Sequence, residues 1–324
     1  MSRRYLAGFV QDGLFNPLVA PTPTYLYNLF SWGQNTNGQL GQGNITNYSS
    51  PKQVGSLTTW LNITAGYAHT LATKTDGTLW SWGYNVFGQL GQGNITNYSS
   101  PKQVGSLTTW LNIAGGYNFT LATKTDGTLW SWGSNNYGQL GQGNITKYSS
   151  PKQVGSLTTW SKITAGGYHT IATKTDGTLW SWGDNVFGQL GLGNIANYSS
   201  PKQVGSLTTW LNISAGFYHT IATKTDGTLW SWGYNIYGQL GLGNTTKYSS
   251  PKQVGSLTTW LNISAGFYHT IATKTDGTLW SWGQNGFGQL GLGNTTNYSS
   301  PKQVGSLTTW SNITAGNYQT IALG

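Results

Sequence analysis

Short runs of alternating hydrophobic and polar residues fill the chain, and no window keeps the three-to-four-residue spacing of a helix. The run "HTLATK" at residues 69–74 leads into Asp76 and Gly77, a pair typical of tight hairpin turns, and then into "TLWSWG". A β-branched run, "LNITAG", precedes them, and a proline opens a further short strand, "PKQV", at residues 101–104. These patterns predict four strands, A to D, joined as antiparallel neighbours.

The same pattern returns every 50 residues. The tripeptide "SWG" begins at Ser31, Ser81, Ser131, Ser181, Ser231 and Ser281. The sixth copy is split, because the last residues stop at "TIALG" and residues 26–33 supply "LYNLFSWG". Four-stranded units repeated around an axis form a β-propeller. The sequence therefore predicts an all-β fold over residues 25–324, a six-bladed β-propeller of four-stranded antiparallel blades.

The split copy predicts how the propeller closes. Strands A and B of one blade would come from residues 312–323, and strands C and D from residues 28–32 and 51–54. A blade shared between the N- and C-terminal strands leaves no open blade edge.

The repeated signatures resemble a known family. Trp-Gly-x-Asn, Gly-Gln-Leu-Gly, Ala-Gly-x-x-His-Thr and Asp-Gly occur in the order found in the regulator of chromosome condensation repeat, over residues 28–324. The resemblance implies a propeller and, as one function, an intracellular regulator that promotes guanine-nucleotide exchange or binds chromatin. Propellers of this family usually have seven blades, so six copies depart from the pattern. The kelch repeat has a similar period but a different arrangement of glycines and aromatic residues.

Composition argues against catalysis and against a bound metal or cofactor. The chain of 324 residues has no Cys, so disulfides, thiolate metal sites and thiol nucleophiles are excluded. It also has no Glu, and its Asp residues lie almost wholly in turns about 50 residues apart, one in each blade, whereas a paired-carboxylate site needs two carboxylates within several ångströms. A column of histidines includes Phe119, which favours a structural role for His69, His169, His219 and His269. We therefore expect no enzyme, no cofactor and no metal.

The net charge of +9 comes largely from lysines that follow a proline in each repeat. A Pro-Lys pair on an outermost strand discourages the addition of further strands. The alternative is a ring that also attracts anionic surfaces or nucleic acid. No clustered basic run or recognition helix points to specific nucleic-acid binding, and no apolar run reaches the length of a membrane span.

The repeats differ mainly in two short windows. The first follows "SWG" (residues 84–87 in one copy), and the second joins strands A and B (residues 67–69). In an antiparallel blade both windows open on the same face, whereas the connections of the opposite face, "KTDGT" and "GSLTTW", hardly change. The variable residues suit adaptable recognition of a protein or glycan surface, although tighter turn chemistry on one face would also explain the difference. The candidate ligand-binding residues are Tyr84, Tyr137, Asp184, Tyr234, Tyr67, Tyr117, Tyr168, Tyr218 and Tyr268.

Residues 1–24 belong to no repeat and contain Pro17, Pro21 and Pro23, which favour an extended path. We expect this segment to be an anchoring arm that contacts other subunits of an assembly through Arg3, Arg4, Phe9 and Phe15. A short leader before a regular, Cys-free display domain is similar in style to phage structural proteins. The sequence therefore favours a non-enzymatic virion protein, decorating a capsid or tail and contacting a host. One alternative is the cytoplasmic regulator that the family resemblance implies, and another is a structural or inhibitor protein that uses the propeller as a rigid surface.

Overall fold

A computed structural model describes residues 27–324, which form 24 strands and no α-helix. The first two strands are β1 (Phe30–Gly33) and β2 (Tyr48–Gln53). The next four are β3 (Trp60–Ala65), β4 (His69–Lys74), β5 (Leu79–Gly83) and β6 (Tyr98–Gln103). They are followed by β7 (Trp110–Gly115), β8 (Phe119–Lys124), β9 (Leu129–Gly133) and β10 (Tyr148–Gln153).

The same succession continues to the end of the chain. The third group is β11 (Trp160–Ala165), β12 (His169–Lys174), β13 (Leu179–Gly183) and β14 (Tyr198–Gln203). The fourth is β15 (Trp210–Ala215), β16 (His219–Lys224), β17 (Leu229–Gly233) and β18 (Tyr248–Gln253). The fifth is β19 (Trp260–Ala265), β20 (His269–Lys274), β21 (Leu279–Gly283) and β22 (Tyr298–Gln303), before the final pair β23 (Asn312–Ala315) and β24 (Thr320–Leu323).

Each group of four strands forms one sheet in chain order, which confirms the predicted four-stranded antiparallel blades. The terminal strands form two separate two-stranded sheets, β1–β2 and β23–β24. The shared closing blade that the sequence predicts is therefore not confirmed. The predicted arm, residues 1–24 with Arg3, Arg4, Phe9 and Phe15, lies outside the described residues.

The contacts divide the chain into two compact units. The first contains the described residues up to Asp126, together with Trp130–Ser134 and Lys147–Lys152. The second contains Gly127–Leu129, Asn135–Thr146 and Gln153–Gly324. The sheets β3–β6 and, almost entirely, β7–β10 belong to the first unit, and the three later four-stranded sheets belong to the second.

The turn that joins the second and third strand of each sheet follows directly from its sequence. The Thr78 backbone N–H and hydroxyl both donate to Asp76 Oδ1, at 2.9 and 2.6 Å, which fixes the predicted Asp-Gly hairpin. The Trp80 indole N–H then donates to the Thr78 hydroxyl at 2.9 Å. The same three bonds recur around Asp176, Asp226 and Asp276.

The outermost strand of each blade begins earlier than the sequence predicts. We expected the proline to open this strand, but β18 starts at Tyr248 and contains Pro251 in its interior. Pro251 is tolerated because β18 pairs with β17 alone and so lies at the edge of its sheet.

Each pair of successive sheets within a unit encloses an apolar core. Between the last two four-stranded sheets, Ile221 and Leu229 cluster with Trp260 and Trp282, all at most 5% exposed. The second strand of each blade is buried on both faces, as in β16, because it is covered from both sides. This stiff framework positions the connections at the ends of the strands.

Candidate binding surface

The two variable windows meet in the structure. In the second unit Phe187, from the first window, lies 5.0 Å from Tyr218 of the second window and 4.6 Å from Tyr234, measured between ring centroids. Tyr218 and Tyr234 are 6.2 Å apart. The predicted grouping of both windows at one end of the blades therefore matches the geometry, since antiparallel strands place the A–B and C–D connections at the same end.

The contacts extend from these three rings into a continuous network in the second unit, which we call the aromatic surface. In this network Phe217 and Phe267 stack face to face, with centroids 3.9 Å apart and planes 18° apart. Most of its rings are partly or well exposed, and Phe287 is 71% exposed. Its members are Tyr137, Tyr168, Phe187, Phe217, Tyr218, Tyr234, Tyr237, Phe267, Tyr268, Phe287 and Tyr318.

The candidate residues of the first unit form smaller groups. Tyr67 and Tyr117 stack with centroids 4.2 Å apart, and Tyr67 is 54% exposed. Tyr84 meets Phe87 edge to face at 6.3 Å. The structure thus divides the nine predicted residues between the two units, with Tyr67, Tyr84 and Tyr117 in the first.

Sequence reasoning overlooked several rings of the aromatic surface. Phe187, Phe217 and Phe267 lie in the same two windows as the predicted tyrosines and contact them directly. The signal was present, because these positions differ between repeats and carry large apolar side chains. A phenylalanine at these positions places apolar area at the surface. A turn with only a structural role does not require this area, so its presence indicates binding.

Asp184 lies beneath the aromatic surface rather than on it. It is 2% exposed, its Oδ2 accepts a hydrogen bond from Gln189 Nε2 at 2.9 Å, and its backbone N–H donates to the Tyr168 carbonyl at 2.9 Å. Burial raises the pKa of this carboxyl, while hydrogen bonds from the Val186 backbone and from Gln189 oppose the increase. A ligand on the aromatic surface would therefore not contact the Asp184 carboxylate directly.

The phenols of the aromatic surface lie close together. Burial raises the pKa of Tyr218, and its neighbours Tyr168, Asp184 and Tyr268 raise it further. Burial likewise raises the pKa of Tyr268 to about 12, with a smaller contribution from Tyr234. These hydroxyls stay protonated at neutral pH and can donate hydrogen bonds to a ligand.

Two lysines interrupt an otherwise regular structural contact next to these rings. In four repeats an asparagine at the end of the C–D connection accepts a hydrogen bond from a backbone N–H, as Asn197 Oδ1 does from Asn185 at 2.8 Å. Lysine replaces this asparagine at positions 147 and 247, and a lysine side chain has no acceptor. The Lys247 ammonium lies instead 4.6 Å from the centroid of the Phe187 ring and 5.0 Å from that of Tyr234.

The lysine substitutions change stability too little to explain them. Each exposed cation–π contact contributes about 0.5–1 kcal/mol, one at Lys147 and two at Lys247, and the lost hydrogen bond of about 1 kcal/mol offsets most of this gain. In the first unit Lys147 makes the equivalent contact, 4.9 Å from the Phe87 centroid. A charge placed on exposed rings without benefit to the fold is typical of a binding surface.

The histidine column is structural in geometry. His219 Nε2 lies 3.0 Å from the Thr270 hydroxyl of the next sheet, and that hydroxyl donates to the Gln239 carbonyl at 2.9 Å. Since the hydroxyl proton is used, His219 must donate through Nε2. Burial lowers the pKa of His219 to about 3, so the ring is neutral at pH 7. Within residues 27–324 no group of three or more His, Cys, Asp or Glu side chains could hold a metal ion. No helix in this range is long and apolar enough to cross a bilayer.

A family model for the regulator of chromosome condensation (RCC1) repeat matches six segments, residues 28–73, 76–123, 126–173, 176–223, 226–273 and 276–323. The chain belongs to the RCC1 repeat family. The match covers nearly all described residues, and a second model of the same repeat matches five segments between residues 61 and 289. No curated protein matches the chain.

Three solved structures, two of them of yeast Prp20, are similar to this chain in fold. Human WBSCR16 is 23% identical over 90% of this chain and 80% of that protein, with a TM-score of 0.81. Prp20p from Saccharomyces cerevisiae, described with its binding to Gsp1p and histones, is 20% identical over 92% of both chains, with a TM-score of 0.68. Yeast RCC1 (Prp20) bound to Kap60 is 19% identical over 99% of this chain and 96% of that one, also with a TM-score of 0.68. At these identities the likeness concerns the fold alone.

Proposed function

We propose that this RCC1-repeat protein is a non-enzymatic binding module and that the aromatic surface of its second unit contacts a partner surface. One observation carries the proposal: in the second unit the rings of the two variable windows form a single network of contacting aromatic side chains, all of them half-buried or exposed. Soluble proteins rarely expose contiguous apolar patches of this kind unless the patch binds something.

The residue types support recognition. Tyrosine offers a large rigid contact area and a hydroxyl at little cost in conformational entropy, and it is enriched in adaptable binding surfaces. The rings are also held in place by their neighbours, for example Phe187 by Tyr218 and Tyr234. A surface that is already ordered loses less entropy when it binds.

The proposal is tested with the double variant Tyr218→Ala and Tyr234→Ala. Both rings are partly exposed, so the fold should persist while capture of the partner from cell-surface extracts falls at least about tenfold, as expected for residues central to an interface. The matched control is Leu257→Ala, an apolar side chain 47% exposed on the opposite, nearly invariant connection. Equal capture by wild type and the double variant would remove the basis of the proposal.

We further propose that the protein is part of a virion. A virion protein would use this surface to contact a host and residues 1–24 to join other subunits. Deletion of residues 1–24 should then abolish incorporation into particles while the isolated propeller still binds host cells. Incorporation that survives the deletion would contradict this assignment.

The family suggests a second candidate, a regulator that binds a small GTPase or chromatin. It draws on the likeness to Prp20p, whose structure is described with its binding to Gsp1p and histones. A nucleotide-release assay with a guanine-nucleotide-binding protein distinguishes this candidate, because only an exchange factor would accelerate release.

A further inference from the structure

We propose that the aromatic surface binds an acidic saccharide, with the Lys247 ammonium opposite a carboxylate and the rings of Phe187, Tyr218 and Tyr234 beneath the sugar. The inference rests on the proposed function and names its ligand class. It comes from the lysine next to these rings rather than from the rings alone.

Lys247 departs from the repeat at a cost to local structure. In the repeats with asparagine at this position, the side chain accepts the backbone N–H of a buried asparagine, as Asn297 does for Asn285 at 2.7 Å. Lys247 cannot do so, and the corresponding Asn235 is fully buried. The ammonium lies over the Phe187 and Tyr234 rings and remains exposed.

The lysines follow the aromatic residues of the preceding repeat. Lysine occurs at positions 147 and 247, where the ring 60 residues earlier is Phe87 or Phe187. Where that ring is Tyr137 or Tyr237, the corresponding residue is asparagine. An exposed ammonium is therefore paired twice with a ring that lacks a hydroxyl. Each pair forms a surface with an apolar part, the ring, and a cationic part, the ammonium.

The charge of this surface selects an anion. Among the described residues of the two variable windows and the connection after them in the second unit, the side chains that can carry charge at neutral pH are Asp184 and Lys247. The histidines of the second window are neutral there, because burial lowers their pKa to about 3–4. Asp184 is buried, whereas Lys247 is exposed. A ligand that lies on the rings therefore meets a positive charge, and a carboxylate can accept a charge-assisted hydrogen bond from the ammonium.

A saccharide fits this surface better than an acidic protein segment does. A pyranose has an apolar face for the rings and hydroxyls for the phenols of Tyr218 and Tyr234, which are held protonated. Lysine is depleted at the centre of protein–protein interfaces, yet here it lies over two central rings of the network.

The test uses 3′-sialyllactose as the acidic probe and lactose as its neutral match, measured by titration calorimetry and saturation-transfer NMR on the full chain. Wild-type protein should bind sialyllactose about tenfold more tightly than lactose, the ratio expected when one charged contact is added. The variant Lys247→Asn restores the residue found in four other repeats, so it should fold normally and lose that ratio. Lys247→Arg keeps the charge and should retain it.

Three results would overturn the inference. They are equal binding of the two sugars by wild type, an unchanged ratio in Lys247→Asn, and binding of poly-glutamate but of neither sugar. The proposed function fails separately, because it requires only that Tyr218→Ala with Tyr234→Ala abolishes partner capture. Loss of capture without any sugar binding would retain the binding module and reject the saccharide.

Discussion

At the residue scale, four buried histidines connect successive sheets in the same way. Their Nε2 atoms lie 3.0–3.2 Å from the hydroxyls of Thr120, Thr220, Thr270 and Thr320. Burial lowers the pKa of His169 and His219 to about 3, with neighbouring histidines adding to the effect at His219. It lowers the pKa of His69 and His269 to about 4.

These low values make the fold sensitive to mild acid. An unfolded histidine binds a proton near pH 6.5, whereas the folded one does so only near pH 3–4, so the unfolded state holds more protons between these limits. The contribution of the histidines to the free energy of unfolding is constant above about pH 7. As the pH drops below 6.5, it falls by about 1.4 kcal/mol per pH unit for each histidine. Urea midpoints measured at pH 7.5 and pH 5.0 should therefore differ strongly.

The control comes from the chain itself. Phe119 occupies the same column, so a ring without nitrogen fits there. His219→Phe should keep the fold at pH 7.5. Between pH 7.5 and pH 5.0 the variant should lose less unfolding free energy than wild type, by about the amount that one histidine accounts for. An identical pH dependence in wild type and variant would show that this histidine does not titrate on unfolding in the way the buried geometry requires.

At the scale of elements, neighbouring sheets are locked by a tryptophan against a glycine-rich connection. The Trp232 indole N–H, on β17, donates to the Gln189 carbonyl at 2.9 Å in the connection between β13 and β14. A Cβ atom at Gly191 would lie 2.7 Å from that indole nitrogen. The Gly-Gln-Leu-Gly motif is therefore required by close packing between sheets, not by ligand binding.

Alanine substitutions separate this contact from backbone strain. Gly191 and Gly205 both have positive φ, +73° and +61°, but a Cβ at Gly205 meets nothing within 4 Å. Gly205→Ala should cost about 1–2 kcal/mol in unfolding free energy, the penalty of a left-handed conformation. Gly191→Ala should cost about 1–3 kcal/mol more, because the tryptophan must move. Equal midpoints in denaturant would mean that the close contact is not energetically important.

The elements were predictable because each is fixed by a local signal. The Asp76 turn and the alternating residues of β5 can be predicted from their own short segments, without the rest of the chain. The 50-residue period then predicts the same elements in every repeat. The contacts between repeats were not predictable in this way. Which ring Lys247 reaches depends on how one sheet lies against the next, and the burial of Asp184 depends on the folded connection that brings Gln189 and the Tyr168 carbonyl to it.

At the scale of the whole molecule, the repeats do not supply every strand with the same surroundings. Ile221 on β16 is 0% exposed, while the equivalent Ile321 on β24 is 41% exposed. The strands differ because β16 lies between β15 and β17, whereas β24 pairs with β23 alone. The sequence does not reveal this difference in exposure, because both positions are isoleucine and the repeat predicts a complete blade around each of them.

The pair Ile221 and Ile321 tests this arrangement directly. Ile221→Asn places an amide in a fully buried site and should cost at least about 3 kcal/mol in unfolding free energy, from lost apolar burial and an unsatisfied polar group. Ile321→Asn changes a side chain that is 41% exposed, and should cost less than about 1.5 kcal/mol. Both values come from denaturation at pH 7.5, where the histidines contribute equally. Similar large losses in the two variants would mean that β24 is covered in solution, as the predicted closing blade requires.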